Sequence, residues 1–65
     1  MPALPELKRL RLRRGLTQRA LAEQAGVALR TVVSLEHAKE ARLETVFKLA
    51  AYLGVEPIEL IVRNE

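Results

Sequence analysis

Residues 18–37 read QRALAEQAGVALRTVVSLEH. Ala22 is followed four places later by Gly26 and six beyond that by Val32, with further apolar residues at Leu21, Ala25, Val27 and Leu35. This spacing predicts two short helices that touch closely and turn sharply. Ala22 has almost no side chain, so a second helix can approach its backbone. Gly26 can take the positive φ that ends the first helix. Val32 and Leu35 lie one turn apart and face inward together.

The same reasoning extends outward along the chain. Thr17 suits the N-cap of a helix over 18–25, whereas Ala28 is a poor cap for the next one, over about 29–37. Upstream, Pro2 and Pro5 favour an extended start. A helix then runs from Glu6 to Arg14, with Leu7, Leu10 and Arg11 on one face, Leu12 off it and Gly15 closing it. Downstream, residues 37–42 (HAKEAR) are polar and loop-like although they lack Gly and Pro. Leu43 to Leu53 is the clearest helix, with Leu43, Val46, Leu49, Ala50 and Leu53 on a broad apolar face, Phe47 at its edge and Gly54 ending it. Pro57 then opens a short fifth helix to about Ile61. The alternation of Ile58, Leu60 and Val62 keeps a strand open as the other reading of this last segment.

Size and composition narrow the possibilities. At 65 residues the chain is expected to be one domain, 1–65. Phe47 and Tyr52 are its only phenylalanine and tyrosine, and it has no tryptophan or cysteine. The core must therefore be aliphatic, and dimerisation is a common remedy for a core this small. One histidine and no cysteine argue against a zinc site, and the lack of cysteine fits the cytoplasm. No apolar run is long enough to span a bilayer, and the N-terminus does not read as a signal peptide. No nucleophile–base set or glycine-rich phosphate loop points to an enzyme, and no cofactor or metal is expected. The net charge is +3. Residues 1–20 carry Lys8, Arg9, Arg11, Arg13, Arg14 and Arg19 against Glu6 alone, whereas acidic residues outnumber basic ones in the remainder. A basic end favours a polyanion partner. Two helices around a tight corner are also the arrangement that lays its second helix in the major groove of DNA.

LKRLRLRRGLTQRALAEQAGV, LRTVVSLE and RLETVFKLAAYLGVEPIELI together cover nearly the whole chain. In their order and spacing they resemble the Cro/C1-type helix-turn-helix domain of phage repressors and their bacterial relatives. Leu-Thr-Gln before the second helix, the small residue and glycine at the corner, and Leu-Gly-Val after the fourth helix carry the likeness jointly. The resemblance implies an all-α, compact five-helix bundle with the motif at about residues 17–37. It places Thr17 and Gln18 where such domains hold a phosphate, and Leu29, Arg30 and Ser34 at base-facing positions. Arg11 and Glu36 match a structural ion pair. Lys39 and Arg42 lie in the loop that meets the DNA backbone again. Where relatives often have Gly-Lys and a later proline, this loop reads His37-Ala38-Lys39-Glu40-Ala41-Arg42.

Val33, one turn beyond Leu29, forms with it an expected pair of exposed apolar residues suited to thymine methyl groups. Arg9, Arg13 and Arg14 are expected to add only long-range attraction. Tyr52, Ile58 and Ile61 are candidates for a two-fold interface. The expected function is that of a sequence-specific regulator of double-stranded DNA, a repressor acting as a homodimer on a near-palindromic operator. It would be cytoplasmic in a bacterium or phage-infected cell, and at the nucleoid when bound. Two alternatives differ in class. One is an antitoxin that binds a toxin and its own operator, favoured by a C-terminal strand. The other is a protein-interaction module without DNA binding, suggested by Leu29 and Val33.

Overall fold

In a computed structural model the described residues are 2–61. They form five helices: α1 (Leu7–Arg13), α2 (Gln18–Ala25), α3 (Leu29–Glu36), α4 (Leu43–Leu53) and α5 (Pro57–Ile61). The last segment is therefore helical as far as Ile61. The strand alternative is overturned there, and Val62 lies outside the described residues. Pro57 at the first helical position fits this outcome, because its fixed φ is already helical and its missing N–H costs nothing there. Pro5 and Glu6 form a turn ahead of α1, so that helix starts one residue later than the sequence implies.

The core is aliphatic. Leu7 and Leu10 of α1, Leu21 and Ala22 of α2, and Val32 and Leu35 of α3 meet Val46, Leu49, Ala50 and Leu53 of α4 and Leu60 of α5. Ala22 is 2% exposed and Val32 fully buried, as a close crossing of α2 and α3 requires. Leu43 departs from expectation. It is the first residue of α4, and its first-turn position leaves it 51% exposed. Leu4, which no apolar period marks, is 2% exposed and packs among the leucines of the core.

Four helices close with the same device. An amide five residues on returns to a last-turn carbonyl: Leu16 to Arg11, Val27 to Ala22, Lys39 to Ser34 and Val55 to Ala50, at 2.9–3.2 Å. The device needs a residue of positive φ before the returning amide. Gly15, Gly26 and Gly54 supply it after α1, α2 and α4. After α3 that residue is Ala38, at φ 67°. Its methyl group is strained there, at a cost of about 1–2 kcal/mol.

Candidate nucleic-acid interface

The outer surface of α3 follows from its helical period. Leu29, Val32 and Leu35 turn towards the core, leaving Arg30, Val33, Ser34 and His37 at intervals of three and four residues along the opposite side. Arg30, Ser34 and His37 are exposed, and Val33 is half-buried. An open groove brings Arg30, Thr31 and Ser34 together with Lys39, Glu40 and Arg42 of the following loop and Thr45 of α4. Three cationic side chains thus converge beside one face of α3.

Leu29 differs from the pattern expected of it. It is half-buried and packs against the core, so it and Val33 are not a pair of freely exposed apolar residues. Ala28 makes no side-chain cap, and the first-turn amides of α3 are left to other acceptors.

At the start of α2, Thr17 is extended, and its hydroxyl accepts a hydrogen bond from the Ala20 amide at 3.0 Å. Capping leaves the first-turn amides of Gln18 and Arg19 without a partner inside the helix, at its positive end. Gln18 does more than open the helix. Its Nε2 donates to Glu36 Oε1 at 3.2 Å, so its side-chain amide is engaged within the protein. A phosphate at this position would meet the backbone N–H.

Glu36 is the centre of a small polar cluster. Arg11 Nε donates to Glu36 Oε2 at 2.6 Å, and Arg11 Nη2 donates to Glu36 Oε1 at 3.0 Å. Arg11 Nη1 donates to the Leu16 carbonyl at 2.7 Å. The Arg11 and Glu36 side chains are only 8% and 4% exposed. The hydrogen bond to Glu36, aided by its charge, raises the Arg11 pKa against the opposing effect of burial. One carboxylate therefore locks α1, the start of α2 and the end of α3 together.

Two arginines expected to act only at long range have local roles. Arg9 pairs with Glu6 one turn earlier. Arg14 Nη1 donates to the Leu53 carbonyl at 3.1 Å and the Tyr52 carbonyl at 3.4 Å, closing the end of α4. Its guanidinium lies 5.5 Å from the Tyr52 ring centroid. Of the interface candidates, Tyr52 and Ile61 are partly buried and pack on the core, whereas Ile58 is 58% exposed. Among the described residues no group of three or more His, Cys, Asp or Glu is placed to hold a metal ion. No helix among them is long and apolar enough to cross a membrane.

The family model described as Helix-turn-helix matches residues 7–60. Among solved structures, the restriction-modification controller protein C.AhdI from Aeromonas hydrophila is similar, with a TM-score of 0.80 and 35% identity over 86% of each chain. The hypothetical transcription factor NHTF from Neisseria is similar at a TM-score of 0.81 and 29% identity. That match covers 88% of this chain but 65% of NHTF, so this chain spans less than two thirds of that protein. No match was found among curated protein sequences.

Proposed function

The chain belongs to the helix-turn-helix family as a DNA-binding transcription regulator of Cro/C1 type, and on that premise we propose that it is a repressor acting as a homodimer on a near-palindromic operator. The supporting observation is the outer face of α3, which carries Arg30, Val33 and Ser34, with Arg30 and Ser34 sharing one open groove with Lys39 and Arg42. Arg30 reads a guanine through O6 and N7, and Ser34 is a permissive second reader. Val33, with the exposed edge of Leu29, meets thymine methyl groups. The capped N-terminus of α2 at Thr17 and Gln18 holds a phosphate, and Lys39 and Arg42 hold others. Two such surfaces related by a two-fold axis would enter successive major grooves about 34–36 Å apart. The working compartment in this reading is the cytoplasm, with the protein on nucleoid DNA.

Selection from random duplexes at two salt concentrations tests the reading. The expected result is a near-palindromic consensus and an affinity that falls steeply with salt. Failure to enrich any duplex, with binding undetectable at low salt, would instead favour the interaction module. An antitoxin that pairs C-terminal strands across a dimer loses support, because Pro57–Ile61 is a helix. The likeness to a restriction-modification controller over 86% of both chains favours a narrower reading, in which the regulated genes belong to a restriction–modification system. Footprinting upstream of such genes in the source genome would test that narrower form.

A further inference from the structure

The six-residue loop between α3 and α4 carries Lys39 and Arg42, yet it is not held by its own helices alone. Lys39 is tied back to the Ser34 carbonyl by its amide. Beyond it, the chain's N-terminal segment takes over. Ala3 pairs with Glu40 in an antiparallel bridge, and the Ala41 amide donates to the Pro2 carbonyl at 2.8 Å. The next residue, Leu4, is 2% exposed in the core. The Glu6 amide donates to the Leu60 carbonyl at 3.2 Å, fastening the same segment to α5. Residues 2–6 thus form a strap from α5 across to the loop beside the α3 groove.

We propose that this N-terminal strap positions the DNA-contacting loop, holding Lys39 and Arg42 beside α3 before any duplex arrives. The inference rests on the DNA-binding reading and adds to it a region the motif does not contain. The physical ground is preorganisation. A loop ordered only on binding subtracts its conformational entropy from the affinity, and a loop already ordered does not. Pro2 adds to this by restricting the strap itself.

The absence of cysteine from the chain makes a clean test available. Opposed residues of an antiparallel pair have Cα atoms about 4.5–5.5 Å apart, within disulfide range. A Pro2→Gly/Ala3→Cys/Glu40→Cys variant has a softened strap when reduced and a locked one when oxidised. Comparing redox forms of one variant cancels the loss of Glu40. The probe is a mixed-sequence duplex of about 30 base pairs, titrated at several salt concentrations between about 50 and 200 mM. Circular dichroism follows the fold of each form.

The oxidised form should bind several-fold more tightly than the reduced form. Its slope of log affinity against log salt should be larger by about 1–2, for the two phosphate contacts restored. Adding Lys39→Ala/Arg42→Ala should erase the difference between the redox forms. Equal affinity and slope in both forms would overturn the proposal, as would a difference that survives loss of Lys39 and Arg42. Should the reduced triple variant unfold, Pro2→Gly alone is compared with the parent by the same salt slope, and an unchanged slope counts against the strap. A parent protein that binds no duplex sinks the DNA-binding reading itself, a separate outcome.

Discussion

Arg11 grips the Glu36 carboxylate with two guanidinium nitrogens, at 2.6 and 3.0 Å, across the gap between α1 and the end of α3. Removing one partner of a buried pair strands the other's charge, at a cost of about 3–5 kcal/mol. Arg11→Ala should therefore lower the melting midpoint by about 12 °C or more, weakening DNA binding through the fold. An unchanged midpoint would rule this out.

The pair also sets an expectation for pH. Its hydrogen bond to Glu36 raises the Arg11 pKa above the unfolded value. A base with a raised folded-state pKa contributes stability that is fully present below its unfolded pKa and is lost only as pH passes the folded one. The stability difference between the parent and Arg11→Ala should thus hold constant from about pH 7 to pH 10. Denaturant titrations of both proteins check this, and a gap that shrinks steadily over that interval would contradict it.

How legible the molecule was depended on the range of the interactions involved. The bounds of α2 and α4 could be read because Thr17, Gly26 and Gly54 are local signals and the apolar period of α4 runs for three turns. Leu4 could not be read, since a lone leucine between two prolines has no period and its burial is in a core cluster drawn from all five helices. The outward face of Arg30 and Ser34 followed from helical geometry. The capping role of Arg14 did not, because its acceptors at Tyr52 and Leu53 lie 38 and 39 residues away. The end of α3 at Glu36 was blurred for a different reason: the left-handed residue there is an alanine, which carries no signal for it.

That alanine gives the next prediction. Ala38 occupies the backbone position that glycine fills after α1, α2 and α4. Ala38→Gly should relieve the methyl strain and outweigh glycine's extra unfolded-state entropy, for a net gain of about 0.5–1 kcal/mol. The reciprocal change, Gly26→Ala, meets no atom within 4 Å of the new Cβ. Its cost should be the backbone term alone, about 1–2 kcal/mol. Thermal melts of the two variants should therefore move in opposite directions, and a shift in the same direction would show that left-handed strain does not govern these corners.

Arg30 is exposed on α3 and has no hydrogen-bond partner among those identified within the protein, so its loss should leave the fold intact. Arg30→Ala should relax preference at one or two base pairs, where a bidentate arginine contributes about 1–3 kcal/mol of discrimination. Selection from random duplexes with parent and variant side by side measures this. Identical consensus sequences would count against a base-reading role, even if overall affinity fell.

Ile58 separates association from folding among the interface candidates. Tyr52 and Ile61 pack on their own core, so truncating either should lower stability whether or not a dimer forms. Ile58 is 58% exposed, so a charge there should be tolerated by the monomer and resisted only by a partner surface. If the proposed dimer forms through α5, Ile58→Glu should keep its circular dichroism and sediment as a monomer at concentrations where the parent sediments as a dimer. It should also lose affinity for a two-half-site operator far more than for a single half-site, since only the former draws on both recognition helices. A variant that remains dimeric would move the two-fold axis away from α5 and leave the remaining exposed apolar residues of α4, Leu43 and Phe47, as the surface to change next.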